Sequence, residues 1–525
     1  MINKKQQVDP AIIILGLMLL LLMRRVFTGF DDVDEADNVF DIYQFLQNLA
    51  LTRNFPELIW IDSGMNGPMH NYMYSIFTLP LSYLIGMPMD MAMRLVAIIT
   101  IPFSGYFLYR SAYSLFGKRA ALVFIIIIFT TPLFYYRNST AVGDSWCTLF
   151  YALSLFFLTR NYSRKNVYLS LLFYALNLTC KYTFAPLFVL HLAIILRHWK
   201  TIQPRVKDIV FGGLLILCGF LPLGLSLLIQ GPEFLDRFFQ VKIEGILWWE
   251  KIPRVVIMLF HALGTAAALL FAAGLLHYIV KIFRAKKSFL KTALDNFFLL
   301  GFLAGTVAYM IIGTRSAIYV YPLVIPALML TSNALVDLEN RFFSKHSKLS
   351  TLLFTAVMIS ALFFNAFYTQ PPSHREAARY VIEHTQEQDI VLGINSSSFY
   401  LFSLNPLVLN PLINTMERRD NDITIDYKMD GMRRLSINEN VSYWIMNQGN
   451  AQKAMKLPLF NEIFIFETNI NGFMIFKNLA WKPSGGKVRK FNYSDYSLKS
   501  IVDRILREGI RMPGEYLSEI QYGYL

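Results

Sequence analysis

The stretch Thr28-Gly29-Phe30-Asp31-Asp32-Val33-Asp34-Glu35-Ala36-Asp37 places five acidic residues directly after the first apolar segment of the chain. An anionic cluster beside a bilayer loses solvation and repels itself, so it is a candidate functional site. An amphipathic segment follows over residues 39–50, and the turn-rich residues 63–68 return the chain to another apolar stretch. These features predict one wall of an active site at the membrane surface. The alternative is that Asp31, Asp32 and Asp34 cap the helix at 39–50 and favour its dipole.

The composition indicates a polytopic integral membrane protein. Hydrophobic residues make up 55% of the chain, and apolar segments recur from residue 11 to residue 368. No small-residue cleavage site follows the first segment, so we predict a retained span there. The three cysteines lie inside apolar segments and give no disulfide framework. The net charge of +13 comes largely from basic loops, which lipid headgroups and topology explain better than nucleic acid does. No P-loop, zinc-finger spacing or GxGxxG motif is present.

Eleven transmembrane helices are predicted, because a helix needs roughly 20 residues to cross about 30 Å of hydrocarbon. Their predicted positions are 10–28, 91–115, 119–136, 144–160, 166–180, 182–197, 207–229, 254–281, 295–313, 317–336 and 349–368. Basic residues concentrate in every second connection, which marks those loops as cytoplasmic and places the N-terminus inside. Residues 72–87 are apolar but short and contain Pro80. A crossing there would break the alternation of loop charge, so we predict a re-entrant or interfacial segment.

Two domains are predicted from the change in composition after Gln370-Pro371-Pro372. Residues 1–370 form the transmembrane domain, in which residues 28–90 are an extracytoplasmic catalytic loop with juxtamembrane helices. Residues 371–525 form a small soluble α/β domain and a polar tail, because a helical pattern there is followed by short apolar runs. The alternation of loop charge places this domain outside the cytoplasm. The predicted fold class is therefore an α-helical polytopic membrane protein with a small C-terminal α/β domain.

Four segments, in this order, carry a resemblance to a known family. They are Asp34-Glu35 after the first span, the run from Arg94-Leu95 to Leu122, the segment from Thr131-Pro132 to Asp144, and Tyr319-Val320-Tyr321-Pro322. This order resembles the GT-C glycosyltransferases, in particular the branch of the protein O-mannosyltransferases and the lipid A aminoarabinose transferase. Arg375 to Val381 is also similar to the start of the outward-facing domain of many bacterial members. The resemblance implies a GT-C-like fold.

The resemblance also implies an activity. Such enzymes move a sugar, with inversion, from a polyprenyl-phosphate carrier to a protein, lipid or glycan acceptor. A lipid donor is in keeping with a catalytic loop at the membrane face and with the lack of a nucleotide motif. The expected partners are this donor, the acceptor and membrane lipids, and no nucleic acid. The expected location is the outer face of a bacterial inner membrane.

The chain departs from the family's pattern at Asn66-Gly67-Pro68, where members often have His-Pro-Pro or Glu-Lys-Pro. A lysine that could touch the donor phosphate and an acid that could ligate a metal are both missing there. His70 follows two residues on and is a candidate for contact with the acceptor, with a structural role as the alternative. No metal ligands are assigned, and a divalent metal stays open as a cofactor.

The resemblance requires a carboxylate base on the face of the sugar opposite the leaving phosphate. Asp34 matches the family's acidic position. Its neighbour Glu35 is a further catalytic candidate, with a solvated side chain as the favoured alternative. On a helix, Asp37 would share a face with Asp34, where it could position the acceptor or be solvated. Asp144 is a further catalytic candidate, because an acid at the border of a predicted span is often functional. The alternative for Asp144 is a role as a helix N-cap.

The leaving phosphate requires cations in a low-dielectric site. Lys181 interrupts a run of apolar residues and Arg315 precedes Tyr319, and both fall on the predicted external side. They are the preferred ligands of the donor phosphate. Lys242, in an aromatic-rich external loop, is a weaker candidate. Arg137 and Arg254 are weaker too, with contact to solvent or headgroups as the alternative.

Other functions remain open. A transporter or flippase of lipid-linked sugars would have charges along a path through the spans and inverted repeats. This chain instead concentrates its acids and bases at one border, which favours the enzyme. A glycan ligase or polymerase with a diphosphate-linked donor would share the topology and is compatible with the sequence. A non-catalytic relative is a further alternative, because of the missing motif after Gly64.

Overall fold

The structure is a computed structural model. It describes residues 9–27, 69–230, 248–284, 297–312, 317–342, 356, 374–386, 389–393, 407–409, 441–456, 458–483, 485–497, 499–500 and 503. The chain forms two compact units. The first unit comprises Met1–Met23, Phe55–Met73 and Ala97–Gln370, and the second comprises Arg24–Asn54, Tyr74–Val96 and Pro371–Leu525.

Helices make up almost all of the described residues before residue 343. In chain order they are α1 (Pro10–Met23), α2 (Met69–Leu79), α3 (Met89–Phe116), α4 (Lys118–Thr130), α5 (Pro132–Ser139), α6 (Asp144–Arg160), α7 (Arg164–Cys180), α8 (Phe188–Arg197), α9 (Trp199–Ile202), α10 (Val206–Gly219), α11 (Leu221–Gln230), α12 (Trp248–Arg284), α13 (Phe297–Ile312), α14 (Ala317–Val320) and α15 (Val324–Phe342). Short 3-10 turns at Arg24–Phe27, Tyr182–Leu187 and Tyr321–Leu323 extend or join them. Many are apolar over their whole circumference, as helices in a membrane interior are.

Four helical stretches in the described part of the chain are long and apolar enough to cross a membrane. They are Pro10–Phe27, Met89–Phe116, Ile252–Arg284 and Tyr321–Arg341. Helices α4 and α5 make a fifth if they count as one span, although the chain bends by 70° between them. Other predicted spans correspond to shorter helices, such as α6 and α7 with 17 residues each. The predicted span at 349–368 lies outside the described residues apart from Ala356. The count of eleven therefore stays a prediction.

Two helix breaks pack against each other in the first unit. The predicted span at 119–136 is broken in the middle: Thr131 is extended, with ψ 117°, and Pro132 begins α5. Proline lacks an N–H group and disfavours helical geometry in the residue before it. Helix α12 is interrupted at Gly264, whose φ is +72°. A Cβ atom at Gly264 would lie only 2.7 Å from Pro132 Cδ. The kink and the bend thus form one close contact that requires glycine.

Two further predicted spans are interrupted. The segment 182–197 begins as a 3-10 turn that contains Pro186, and becomes α-helical only in α8. The segment 207–229 is divided into α10 and α11 at Phe220. A membrane span can contain such a break, so the spans at 182–197 and 207–229 stay predictions.

A network in the second unit joins the end of α1 to the start of α3. Arg375 Nη2 donates to the Phe27 carbonyl at 2.6 Å, and Arg375 Nη1 donates to the Tyr493 hydroxyl at 3.0 Å. The Tyr493 hydroxyl donates to the two Asp90 carboxylate oxygens at 2.8 and 2.7 Å. Burial and the nearby Asp90 carboxylate raise the pKa of Tyr493. Arg375 and Tyr493, both in the C-terminal region, therefore hold Phe27 and Asp90 close together.

In the first unit, the Tyr109 hydroxyl of α3 donates to the Asp9 carboxylate, just before α1, at 3.1 Å. This contact ties α3 to the start of α1. The re-entrant or interfacial placement of residues 72–87 stays a prediction.

The described C-terminal residues form a mixed sheet with flanking helices. The helices are α16 (His374–Glu383), α17 (Gln448–Ala454) and α18 (Pro458–Ile463), and the strands are β1 (Ile390–Gly393), β2 (Leu407–Leu409), β3 (Val441–Asn447), β4 (Phe464–Ile470) and β5 (Phe473–Asn478). The strand order is β2-β1-β3-β5-β4, with β1 parallel to both neighbours and the remaining pairs antiparallel. Trp444, Phe460 and Phe476 are at the centre of its core. Asn471 and Gly472, both with positive φ, make the tight turn between β4 and β5.

Candidate active site

Arg137, Asp144 and Lys181 form a buried group of charges in the first unit, here called the ionic cluster. Arg137 Nε donates to Asp144 Oδ2 at 2.7 Å, and Lys181 Nζ donates to Asp144 Oδ1 and Oδ2 at 3.0 and 3.1 Å. The exposed fractions of the three side chains are 1%, 1% and 6%. Removing one partner of a buried ion pair typically costs about 3–5 kcal/mol, because the other charge stays buried. The cluster therefore fixes how the helices that carry it are arranged.

Helix ends place the three charges together. Arg137 lies in the last turn of α5, Asp144 is the first residue of α6, and Lys181 directly follows α7. The short connection between α5 and α6 brings Arg137 and Asp144 into contact. Gly143 is the N-cap of α6, and no side-chain hydrogen bond caps this helix. The alternative role of Asp144 as an N-cap is therefore wrong: its carboxylate contacts cations instead.

The ionic cluster contains two cations and one carboxylate. Both oxygens of Asp144 accept N–H groups, while an ammonium group such as that of Lys181 has three N–H donors. Lysine and arginine attract phosphate much more strongly in a water-poor interior than in water. The chemistry that this arrangement favours is anion binding by Lys181 and Arg137, with Asp144 holding both in place.

A second polar group adjoins the cluster in sequence and joins it to a distant part of the chain. Asn138 Nδ2 donates to Tyr321 Oη at 2.6 Å, and the hydroxyls of Thr148 and Tyr321 lie 2.7 Å apart. All three residues are buried. Tyr321 belongs to one segment of the family resemblance, and Asn138 belongs to another. The structure thus brings two of the four segments into direct contact.

His70 packs against the residue before Asp144. Its side chain is fully buried, and a Cβ atom at Gly143 would lie 3.3 Å from His70 Cγ. A larger residue at position 143 would therefore have to displace His70 or the start of α6. Of the predicted site residues, the structure thus places His70 beside Gly143 and joins Asp144 directly to Lys181.

The remaining predicted site residues lie outside the described residues. They are the acids Asp34, Glu35 and Asp37, and the bases Lys242 and Arg315. Their roles stay predictions.

Arg137 contributes more to the site than its sequence context indicates. An arginine at the end of an apolar helix is typical of a side chain that reaches the membrane surface, yet Arg137 is 1% exposed and makes the shortest contact with Asp144. The signal in the sequence was its position between Pro132, which starts a short helix, and Gly143, which allows a close turn. The hydrogen bonds among Asn138, Thr148 and Tyr321 were not predicted individually.

The described residues do not supply a metal site. Within the described ranges, no three His, Cys, Asp or Glu side chains are grouped so that they could hold a metal ion. Asp144 already contacts two cations, which would repel a divalent metal. No step proposed below uses a metal.

Comparison with known proteins shows which class of fold this is. Residues 65–225 match the model of the family described as dolichyl-phosphate-mannose-protein mannosyltransferase, and this segment contains the whole ionic cluster. ArnT from Cupriavidus metallidurans in the apo state aligns at 14% identity with a TM-score of 0.55, covering 90% of this chain and 99% of ArnT. The same protein bound to undecaprenyl phosphate aligns at 13% identity with a TM-score of 0.55, covering 91% and 100%. No curated protein sequence gives a significant match.

The fold is that of the GT-C glycosyltransferases, and the resemblance noted in the sequence is confirmed. Within that class, the matched family is a mannosyltransferase family whose described donor is a sugar on a lipid phosphate.

Proposed function

We propose that the protein is an inverting glycosyltransferase that transfers a sugar from a polyprenyl-phosphate donor to an acceptor hydroxyl or amine at the outer face of the membrane. The ionic cluster carries this proposal, because Lys181 and Arg137 are buried cations held by a single carboxylate. A lipid-linked phosphate suits such a site, since its charge is attracted there and its chain can remain in the bilayer. Two comparisons support this choice: the matched family is named for a dolichyl-phosphate donor, and ArnT has been solved with undecaprenyl phosphate.

The cations stabilise the leaving group in the proposed reaction. As the bond from the anomeric carbon to the phosphate oxygen breaks, negative charge grows on the phosphate, and Lys181 and Arg137 compensate it. Arg315 and Lys242 are proposed to add positive charge at the same site. Removing one preorganised donor of this kind typically costs about 2.7–4 kcal/mol of barrier. Asp144 acts as a positioning residue, because both of its oxygens are occupied by the cations.

Asp34 is the proposed base. The acceptor oxygen or nitrogen attacks the anomeric carbon from the face opposite the phosphate, and its proton passes to the Asp34 carboxylate. The bonding electrons of the broken bond leave with the polyprenyl phosphate, so the sugar changes its anomeric configuration. Glu35, Asp37 and His70 are proposed to orient the acceptor. His70 is in keeping with this role because it packs at the residue before Asp144.

The outer face is proposed on the basis of loop charge and one structural contact. The basic loops follow the positive-inside pattern, which leaves the acidic loop at 28–37 outside. Arg375 contacts the carbonyl of Phe27, the residue just before that loop. This contact supports the proposal that the C-terminal region is on the outer face as well.

A transfer assay with the purified full-length protein in lipid nanodiscs tests this proposal. Radiolabelled polyprenyl-phosphate sugars are incubated with a membrane extract as the source of acceptors, and Asp34→Asn is compared with Asp32→Asn. The two acids are close in sequence, and Asp32→Asn removes the same charge as Asp34→Asn from the same acidic stretch. We expect Asp34→Asn to lose product by about 100-fold or more with unchanged donor binding, and Asp32→Asn to stay near wild type.

Three outcomes would contradict the proposal. Full activity of Asp34→Asn would remove this residue as the base. Product from diphosphate-linked donors alone would favour a ligase or polymerase. Movement of intact lipid-linked sugar across proteoliposomes, without product, would identify a transporter.

A further inference from the structure

An apolar groove opens between α7, α8 and α10, at the opposite end of α7 from the ionic cluster. Its volume is about 460 Å³, and its walls include Val167, Leu171, Leu192, Ile195 and Ile216. This volume is typical of sites for small molecules or for part of a lipid. Arg164, the first residue of α7, is at its rim, whereas Lys181 follows the last residue, so about 25 Å of helix separates the rim from Lys181.

Two basic segments of the chain, here called the rim, supply part of the groove's lining. Residues 160–165 and 197–208 contain seven basic residues and one acidic residue: Arg160, Arg164, Lys165, Arg197, Lys200, Arg205, Lys207 and Asp208. Of these eight, Arg164 and Asp208 line the groove itself, and the others are close to lining residues in sequence. Asp208 accepts a hydrogen bond from the Tyr168 hydroxyl and lies 3.7 Å from Arg164 Nε. Its negative charge is therefore largely compensated by its neighbours. The two rim segments together carry a net positive charge, which favours the approach of anions.

We propose that this groove binds one anionic glycerophospholipid, with an acyl chain between the helices and the phosphate against the basic rim. An apolar cleft that ends at a row of bases matches a molecule whose chain and charged headgroup are adjacent. Basic pockets between transmembrane helices recognise anionic headgroups in this way. The occupant is a structural lipid and not the sugar donor, because the groove is far from the ionic cluster and holds only a short length of chain.

Glycine keeps the groove open. Gly213 lines it, and a Cβ atom at this position would meet no other atom within 4 Å. A leucine at 213 can therefore be built without displacing its neighbours and would fill the space. The adjacent Gly212 differs, since its Cβ would lie 2.8 Å from Leu171 Cδ1. Glycine is unfavourable inside a helix. Its presence at 213 is therefore in keeping with a need for open space in the groove.

Native mass spectrometry of the full-length protein with equal amounts of phosphatidylglycerol and phosphatidylcholine tests the proposal. We expect the wild type to retain one phosphatidylglycerol, with a preference of about tenfold over phosphatidylcholine. Gly213→Leu should reduce this binding by about tenfold, because the side chain occupies the place of the acyl chain. Gly224→Leu is the matched control: it lies in α11, outside the groove, and a Cβ there also meets nothing within 4 Å.

A second variant tests the rim without filling the groove. In Lys200→Gln/Arg205→Gln, both changed side chains are exposed, so the fold should be kept. We expect the preference for phosphatidylglycerol over phosphatidylcholine to fall close to one. The proposal is overturned if Gly213→Leu and Gly224→Leu bind lipid alike, or if the wild type does not discriminate between the headgroups. It is also overturned if undecaprenyl phosphate displaces phosphatidylglycerol when the two are present in equal amounts.

Discussion

Replacing Lys181 by glutamine would separate the structural role of the ionic cluster from its proposed role in binding phosphate. The substitution removes the hydrogen bonds of 3.0 and 3.1 Å to Asp144, while Arg137 still contacts this carboxylate at 2.7 Å. A buried carboxylate that keeps one cation loses less than one left without any. We therefore expect a loss of about 3 kcal/mol, the lower end of the range for breaking a buried ion pair.

The same substitution changes the charge of the three side chains from +1 to 0. If Lys181 and Arg137 bind the donor phosphate, affinity for undecaprenyl phosphate should fall by about 100-fold, as expected for the loss of one buried charge-assisted contact. The double variant Asp144→Asn/Lys181→Gln restores the sum to +1, because both formal charges are removed together. Its affinity should recover at least in part.

The assay measures thermal unfolding of the purified protein in detergent, with and without undecaprenyl phosphate, together with direct titration of the lipid. Lys118→Gln is the control, since this exposed lysine is the first residue of α4 and belongs to neither proposed binding site. The reasoning is refuted if Lys181→Gln unfolds more easily but binds the lipid as the Lys118 variant does. A double variant that binds no better than Lys181→Gln would equally refute the argument from charge.

Three further predictions concern other parts of the structure. Arg375→Ala should lower the stability of the C-terminal region by about 2 kcal/mol, measured by limited proteolysis, because it removes two hydrogen bonds. The control is Arg379→Ala, whose side chain is 54% exposed and whose loss should cost less than about 1 kcal/mol. The pKa of Tyr493 is raised in the folded state above its ordinary value of 10.0, so the unfolded state loses this proton first and stability should fall above about pH 10. Tyr493→Phe should therefore lose less folding stability at alkaline pH, as measured by limited proteolysis at a series of pH values. A pH profile equal to that of the wild type would contradict this prediction. Gly264→Ala should lower thermal stability by about 2 kcal/mol or more, because alanine is strained at φ +72°, while Gly224→Ala should be neutral or slightly stabilising.

Apolar runs with charged borders predicted several helices well. The predicted span 144–160 coincides with α6, and 166–180 differs from α7 by two residues at its start. In both cases a basic or acidic residue ends an uninterrupted apolar stretch. Hydropathy reports how much apolar surface a segment has, and at such borders this is enough to place the helix.

Helix breaks were predicted poorly, because hydropathy does not report backbone geometry. Pro132 and Pro186 were visible in the sequence, but an apolar segment with a proline can be a kinked span or two separate helices. Which of these forms depends on what packs at the break. At Pro132 the decisive neighbour is Gly264, which lies on a different helix and has no local signature.

One pair of charges in the candidate site could be anticipated from the sequence. The alternation of loop charge placed Asp144 and Lys181 at the same border, and the structure joins them directly. The partnership with Arg137 was not predicted, because the local sequence of a cation at a helix end is the same whether it faces the headgroups or the interior. Tertiary packing decides between the two, and sequence spacing alone does not contain it.

The contact between Gly264 and Pro132 makes two positions on separate helices interdependent. A bulkier residue at 264 would collide with the pyrrolidine ring, and a smaller residue at 132 would remove this collision but not the backbone strain at φ +72°. Removing that ring would relax the 70° bend whose far side carries Arg137. Sequence changes at Gly264 or Pro132 would therefore also affect where Arg137 lies. A design that makes α12 more rigid would have to keep the Pro132 ring in place.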